Sequence, residues 1–389
     1  MKKTALVLRT AIAVGVLCAG TLRATATPYV QTDLVSDIPG LATITDPSLM
    51  NPWGISHSSG SPFWTSNQGT STATLYTVTG STNVTKNNIN PPSGFVAIPT
   101  TASGPQGPTG QVNNGNVGSF LVGNGGNHLF AHFIFANLNG AISAWNTGAA
   151  AIVQVTTAGA VFTGLAINQA QDQLYAANSA GTGSIDVFNS SFAPVSLGAG
   201  AFATPAAISA LGLVPFNVQD INGSIYVTYA PAGRPAEQNA ALGAGALAIF
   251  KEDGTLVQTL VGSDLAAPWG VALAPAGFGP LSGDLLVGNF SYINSEINAF
   301  NPSTGVLLGT IPIDPGAGNT PGGLWALNFG IGGSNGSPNT LYFTDGINGE
   351  TAGLFGAISF VPEPSSLMLF GTGLVLLGMC HAIRGRQKT

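Results

Sequence analysis

Charge is scarce in this chain: Asp, Glu, Lys and Arg make up only 7% of its 389 residues. Basic residues are scarcer still in the body. Lys2, Lys3, Arg9, Arg23, Arg384, Arg386 and Lys388 lie in the two ends, which leaves Lys86, Arg234 and Lys251. Against 15 acidic residues up to Val361, the body carries a formal charge of −12. Such a surface repels phosphate backbones and argues against a nucleic-acid partner. Cysteine is missing from the body, since Cys18 and Cys380 both sit in apolar ends. That excludes a stapling disulfide, a thiolate metal site and a cysteine nucleophile there. No Gly-x-Ser-x-Gly elbow occurs. Gly123-Asn124-Gly125-Gly126 lacks the lysine and the following helix of a phosphate loop. Neither an EF-hand nor a glycine–aspartate nonapeptide ladder is present. The body's imidazoles are His57, His128 and His132; the last two, four apart in strand-like surroundings, would share one sheet face.

What is present is a repeat. Pro52-Trp53-Gly54-Ile55-Ser56, Pro108-Thr109-Gly110-Gln111-Val112, Phe162-Thr163-Gly164-Leu165-Ala166, Pro215-Phe216-Asn217-Val218-Gln219, Pro268-Trp269-Gly270-Val271-Ala272 and Pro321-Gly322-Gly323-Leu324-Trp325 start at steps of 56, 54, 53, 53 and 53 residues. Periods of this size with strand-like content mean one sheet per repeat, because a lone sheet cannot bury its faces. The 54 glycines and 25 prolines follow no collagen period and fall between short β-rich runs, where turns need them. Within a repeat the runs alternate as strands do: Phe63 to Ser66, Thr74 to Thr79 and Phe95 to Ile98 follow the first, and Leu174 to Ala177, Ser184 to Phe188 and Ala193 to Leu197 follow the third. Asn139-Gly140 and Asp253-Gly254 read as hairpin turns.

The last repeat offers Leu324 to Leu327, Leu341 to Thr344 and Leu354 to Phe360 but no fourth strand. Tyr29 to Val35 supplies one, which ties the ring shut and removes an exposed edge. The fold class expected is therefore all-β: a six-bladed propeller over residues 27–360, closed by its N-terminal strand. Blade two carries an insertion around Phe120-Leu121-Val122 and 124–127, expected as an added hairpin or loop. The longest loop between second and third strands, 231–245, holds Arg234 and Glu237.

Both ends are addresses. Residues 1–26 combine a basic start, an apolar stretch from Thr10 to Leu22 and small Ala24-Thr25-Ala26, a signal helix with cleavage after Ala26. At the far end, 361–389, Pro362-Glu363-Pro364 precedes an apolar segment from Leu367 to Ile383 and then Arg384-Gly385-Arg386-Gln387-Lys388-Thr389. Seventeen helical residues reach about 26 Å at ~1.5 Å each, and snorkelling by the basic tail makes up the rest of a ~30 Å hydrocarbon core. This three-part order resembles the PEP-CTERM sorting signal of exported bacterial proteins. The resemblance implies a membrane exosortase as partner, anchoring through the transmembrane helix before sorting, and a final place in the envelope or outside the cell.

The body resembles an uncharacterised family of exported bacterial propellers with this tail. The resemblance is carried by Asn51-Pro52-Trp53-Gly54-Ile55, by Phe133-Ile134-Phe135-Ala136-Asn137 with Gly140-Ala141-Ile142-Ser143-Ala144-Trp145-Asn146, and by Pro268-Trp269-Gly270-Val271. More distantly it is similar to NHL-type propellers, which are mostly binding platforms with some enzymes among them.

Candidate ligand residues follow from the plan of the blades. Second strands end at Asn67, Asn137, Asn178, Tyr229, Asn289 and Asp345, on the face where the inner strands begin. Converging amides and a carboxylate there suit a cation or a sugar, and the alternative is that each caps its own turn. Trp53, Phe216 and Trp269 share one repeat position, either as a sugar-stacking floor or as wedges between blades. Asp220 and Asp345 are the candidate metal ligands, Ca²⁺ being the cofactor such hard oxygens take; Asp220 follows an inner strand directly, Asp46 precedes one, and Asp345 and Glu350 flank a glycine-rich loop. No catalytic set is recognisable. The expected role is a non-catalytic exported protein that binds a glycan or another envelope partner, or associates with matrix. The rival is a Ca²⁺-dependent hydrolase or lactonase acting at the channel mouth.

Overall fold

A computed structural model describes residues 28–101, 106–124 and 127–362. The signal segment 1–26 and the sorting segment from Glu363 onward, including the expected transmembrane helix, lie outside the described residues. Among those described, no helix is long and apolar enough to cross a membrane.

Six antiparallel sheets form the body. Their inner strands are Pro52–Ser56, Pro108–Asn113, Phe162–Ile167, Leu213–Ile221, Pro268–Leu273 and Leu324–Phe329. Each inner strand touches the next, and the sixth touches the first, so the ring is closed. The face where these strands begin is called the upper face here, and the face where they end the lower. Inner strands lose the alternating burial of a half-exposed sheet, because a neighbouring blade covers each side. Pro52–Ser56 and Phe63–Asn67 are buried at every position. Alternation returns further out: in Leu307–Pro312 exposed Leu308 adjoins partly buried neighbours.

The repeated glycine has a packing cause. A Cβ on Gly54 would lie 2.6 Å from Thr109 O, and one on Gly110 would lie 2.7 Å from Gly164 C. Adjacent inner strands approach too closely around the axis for any side chain at that position. Blade 4 departs from the rule with Asn217, whose Nδ2 donates to Trp269 O at 2.9 Å and so ties blade 4 to blade 5.

Closure of blade 6 uses Tyr29–Ser36, antiparallel to Leu354–Phe360 in a register running from Tyr29 opposite Phe360 to Ser36 opposite Leu354. The Tyr29 hydroxyl donates to Phe278 O (2.7 Å) and accepts from Leu281 N (3.1 Å), which also locks this strand to blade 5. A short strand, Ile44–Thr45, adds in parallel outside it. Blade 1 differs from its expected plan. Its third strand, Thr72–Thr79, is long enough to hold two outer segments: Asn83–Lys86 pairs with one half and Val96–Ala97 with the other. In blade 2 the insertion is a hairpin of Leu121–Asn124 with Asn127–Phe130 on the lower side. Both expected hairpin turns are present. Gly140 and Gly254 have φ of 74° and 82°, and the Asn139 and Asp253 carbonyl or carboxylate oxygens accept from Ala141 N and Thr255 N.

Candidate functional site

The axis of the ring is blocked by aromatic side chains. Trp53 stacks on Trp325 with centroids 3.5 Å apart, and Trp269 meets both edge-on at 6.3 and 5.7 Å. Phe216 and Phe290 close the remaining side. Trp269 Nε1 donates to Thr163 O at 2.9 Å, two blades away, and Trp325 Nε1 donates to Asn51 Oδ1 at 2.9 Å. These bonds pin the plug to the wall. The ring therefore has two separate mouths instead of a through-channel.

The upper mouth is strapped shut. The loop after Pro231 forms a short helix, Arg234–Gln238, that places the Arg234 guanidinium over the aromatic plug. It lies 5.3 Å from the Phe290 centroid, 5.5 Å from Trp53 and 5.8 Å from Trp325. Arg234 also pairs with Glu237 (2.8 Å) and with Glu350. Glu350 accepts further bonds from Asn51 Nδ2 (3.1 Å), Gln238 Nε2 (3.0 Å) and Tyr292 OH (2.5 Å). It is held at φ 68°, a left-handed conformation costing a non-glycine residue of order 1 kcal/mol. Burial raises the Glu237 carboxyl while Arg234 opposes the rise. Burial likewise pushes the Tyr292 hydroxyl up to about 12.

The lower mouth is open. A funnel of about 700 Å³ runs from the lower face to the plug, floored by Trp269 and walled by the inner strands. Its polar lining is mostly amide: Gln111, Asn113, Asn168, Asn217 and Asn328, with Asp220 near the rim. Gln111 Nε2 donates to Gly54 O and Trp64 O, both at 2.8 Å, so the amide is fixed, and its Oε1 is buried with no partner among the described residues. His57 Nε2 faces Asn328 Oδ1 at 3.3 Å. Asp220 Oδ1 accepts from Gly223 N at 3.1 Å and from Gln169 Nε2, while Oδ2 is unpartnered. Burial raises the Asp220 carboxyl above its ordinary value.

The residues singled out in the sequence distribute unevenly over this frame. Trp53, Phe216 and Trp269 come together in the plug, at most 4% exposed. Three of the six second-strand ends are held by local hydrogen bonds. Asn67 donates to Thr72 and Thr74 hydroxyls inside its own blade. Asn178 caps its turn by accepting from Val161 N and Ala180 N. Asn289 accepts from Ala266 N and donates to Asp264 O. Tyr229 is fully buried, which raises its hydroxyl pKa. Asn137 and Asp345 are buried with no partner among the described residues, and burial pushes the Asp345 carboxyl up to about 7. Asp220 lies toward the lower end of its inner strand, whereas Asp345 pairs with Leu324 at the upper end of another; the fold does not bring the two together. Asp46 is held by Lys86 Nζ (2.8 Å) and Tyr76 OH (2.6 Å) in the outer part of blade 1. Among the described residues, no three His, Cys, Asp or Glu side chains assemble as metal ligands. Sequence reasoning passed over Gln111, Asn168 and Asn328. Their signal was an amide in or beside an inner strand covered by a blade on each side.

Residues 360–384 match the PEP-CTERM protein-sorting motif. That motif is recognised by an exosortase and marks bacterial proteins that are exported and sorted from a membrane-anchored state. Fold and motif together define an exported, surface-sorted six-bladed β-propeller. The chain belongs to the same family as Uncharacterized protein L690 of Acanthamoeba polyphaga mimivirus, with 30% identity over 300 residues, 72% of this chain and 74% of L690. Uncharacterized protein R648 of the same virus is 32% identical over 282 residues, 69% of this chain, and the aligned region spans 66% of R648's length. Among solved structures, a streptogramin B lyase superposes with a TM-score of 0.43 at 9% identity, covering 85% of this chain and 97% of that one.

Proposed function

We propose that this protein is a non-catalytic binding propeller that takes an uncharged glycan of the envelope or matrix into its lower funnel. The observation that carries the reading is the funnel itself: about 700 Å³, blind, and walled by amides that the protein's own hydrogen bonds hold in place. That volume falls in the roughly 300–1,000 Å³ range of small-ligand sites. The acidic body disfavours an anionic ligand. Trp53, Phe216 and Trp269 act in this reading as the closed bottom of the site, and Asn137 and Asp345 lie behind it. A signal peptide ending at Ala26 and a membrane helix from Leu367 to Ile383 complete the route: export, anchoring, then cutting near Pro362-Glu363-Pro364.

The test is a neutral-glycan array followed by calorimetry on the mature protein. Saturable binding, weakened by Asn328→Ala, is expected. No saturable glycan at any position of the array would remove the reading in favour of a purely structural matrix role. One observation favours the Ca²⁺-dependent hydrolase as a second reading: Asp220 is the one carboxylate in the funnel lining, and its Oδ2 has no partner among the described residues. Titration with Ca²⁺ and with EDTA decides it. Stabilisation by Ca²⁺ together with turnover lost in Asp220→Asn would replace the binding role with the enzymatic one.

A further inference from the structure

A second hollow of about 440 Å³ opens between blades 1 and 2 on the lower side. Its walls are aromatic. Trp64 stacks on Phe133 with centroids 4.1 Å apart and faces Trp145 at 4.9 Å. Phe130, on the inserted hairpin, meets His132 edge-on at 4.6 Å. Trp64 and Phe133 are buried, but Phe130, His132 and Trp145 are only half-buried, so ring surface stays available. Polar groups line the rim, and no Asp, Glu, Lys or Arg belongs to the lining. This hollow and the funnel adjoin: Asn113 lines both, and His57 of the funnel is followed directly by Ser58 of the cleft.

The geometry points to one continuous groove for an uncharged oligosaccharide, with one sugar unit in the funnel and the next lying against Trp145 and Phe130. Sugar rings carry polar edges and an apolar C–H face. The edges suit an amide-lined funnel, and the face suits aromatic rings, whose large flat surfaces bind apolar groups at little entropic cost. An apolar ligand would desolvate the funnel amides without returning a hydrogen bond, and an anionic one would meet the acidic body. The inserted hairpin supplies Phe130 and so builds one wall of the cleft, giving blade 2's extra length a function. Asn113, whose Nδ2 donates to His132 O at 2.9 Å, is fixed at the junction. The inference rests on the reading of the funnel as a carbohydrate site and extends it from a single sugar to a chain.

The experiment measures affinity for cello- and chito-oligosaccharides of increasing length by calorimetry, with the full mature protein and with Trp145→Ala, Trp145→Phe and Phe130→Ala. Affinity should rise about tenfold or more from the single sugar to the longer chains. Each alanine variant should lose about threefold to tenfold of that gain while binding the single sugar unchanged. Trp145→Phe, which keeps a ring, should retain most of it. Phe130→Ala keeps the test decisive if Trp145→Ala misfolds, because Phe130 is only half-buried and its neighbour Leu129 is 49% exposed. Affinity independent of length in the parent and all variants would overturn the inference and leave the funnel reading standing. Binding of no sugar at any length would overturn both.

Discussion

Replacing Gly110 by alanine tests the packing argument that makes six repeats into one ring. The added Cβ would lie 2.7 and 2.9 Å from Gly164 C and Cα, and closer still to Leu165 N. All three are backbone atoms in the middle of the next inner strand, so no side chain can rotate away. Relief requires blades 2 and 3 to move apart, which loosens the packing of Phe162, Leu165 and Ile134 between them. Overpacking of this kind costs about 1–3 kcal/mol where side chains yield, and the upper end or beyond is expected where only backbone can. A ring of about 330 residues has an unfolding entropy near 0.7 kcal/mol/K, so about 3 kcal/mol lowers Tm by roughly 4 °C. Gly60→Ala is the control, since a Cβ there meets nothing within 4 Å. Thermal unfolding of both variants at one scan rate gives the comparison. If Gly110→Ala melts with Gly60→Ala and the parent, close approach of inner strands does not explain the repeated glycine.

Arg234→Ala removes the countercharge from Glu237 and Glu350 and the cation above the aromatic plug. Because Arg234 is itself 39% exposed, the expected cost is about 2 kcal/mol and not the full penalty of a buried pair. Hydrogen exchange should show it as faster opening of 232–245, with the outer strands unchanged. Asp345 predicts a pH dependence. Its folded carboxyl is raised to about 7 by burial against an unfolded value near 4. The native state then keeps a proton that the unfolded chain releases, so this stabilisation is full below about pH 4 and is lost as pH rises to about 7. Asp345→Asn should flatten the stability curve over that window and be more stable than the parent at pH 8 by on the order of 4 kcal/mol, as read by denaturant midpoints. Alanines at Pro362, Glu363 and Pro364 should leave the propeller's melting unchanged and leave the C-terminal segment uncut in a host with an exosortase, as read by the mass of the recovered protein.

The architecture was legible because its constraint is local and repeated. Pro52, Pro108, Phe162 and Pro268 open inner strands where the repeat starts, and the glycine two residues on reports the closeness of the neighbouring blade. Tyr29–Ser36 was readable as the missing strand because the last repeat ran out of β sequence before the tail. Blade boundaries slipped where a repeat deviates. The blade 6 strand begins at Leu324 instead of Pro321, since Gly323 sits at φ 116°, and the blade 4 strand begins two residues early at Leu213. The position of the open mouth was not legible. It depends on Arg234 meeting Trp53, Phe290, Trp325 and Glu350, contacts between distant segments that no spacing encodes. The funnel amides were equally silent, because an Asn or Gln in a strand looks alike whether it faces a cavity or a turn.

The most direct test is hydrogen exchange of the mature protein with and without a bound oligosaccharide from the length series. Ligand should slow exchange at 110–113, 217–221 and 326–329, around the lower funnel, and leave 234–238 and 347–351 at the strapped mouth unchanged. Protection confined to 234–238 and 347–351 would put the ligand on the opposite face and contradict the account.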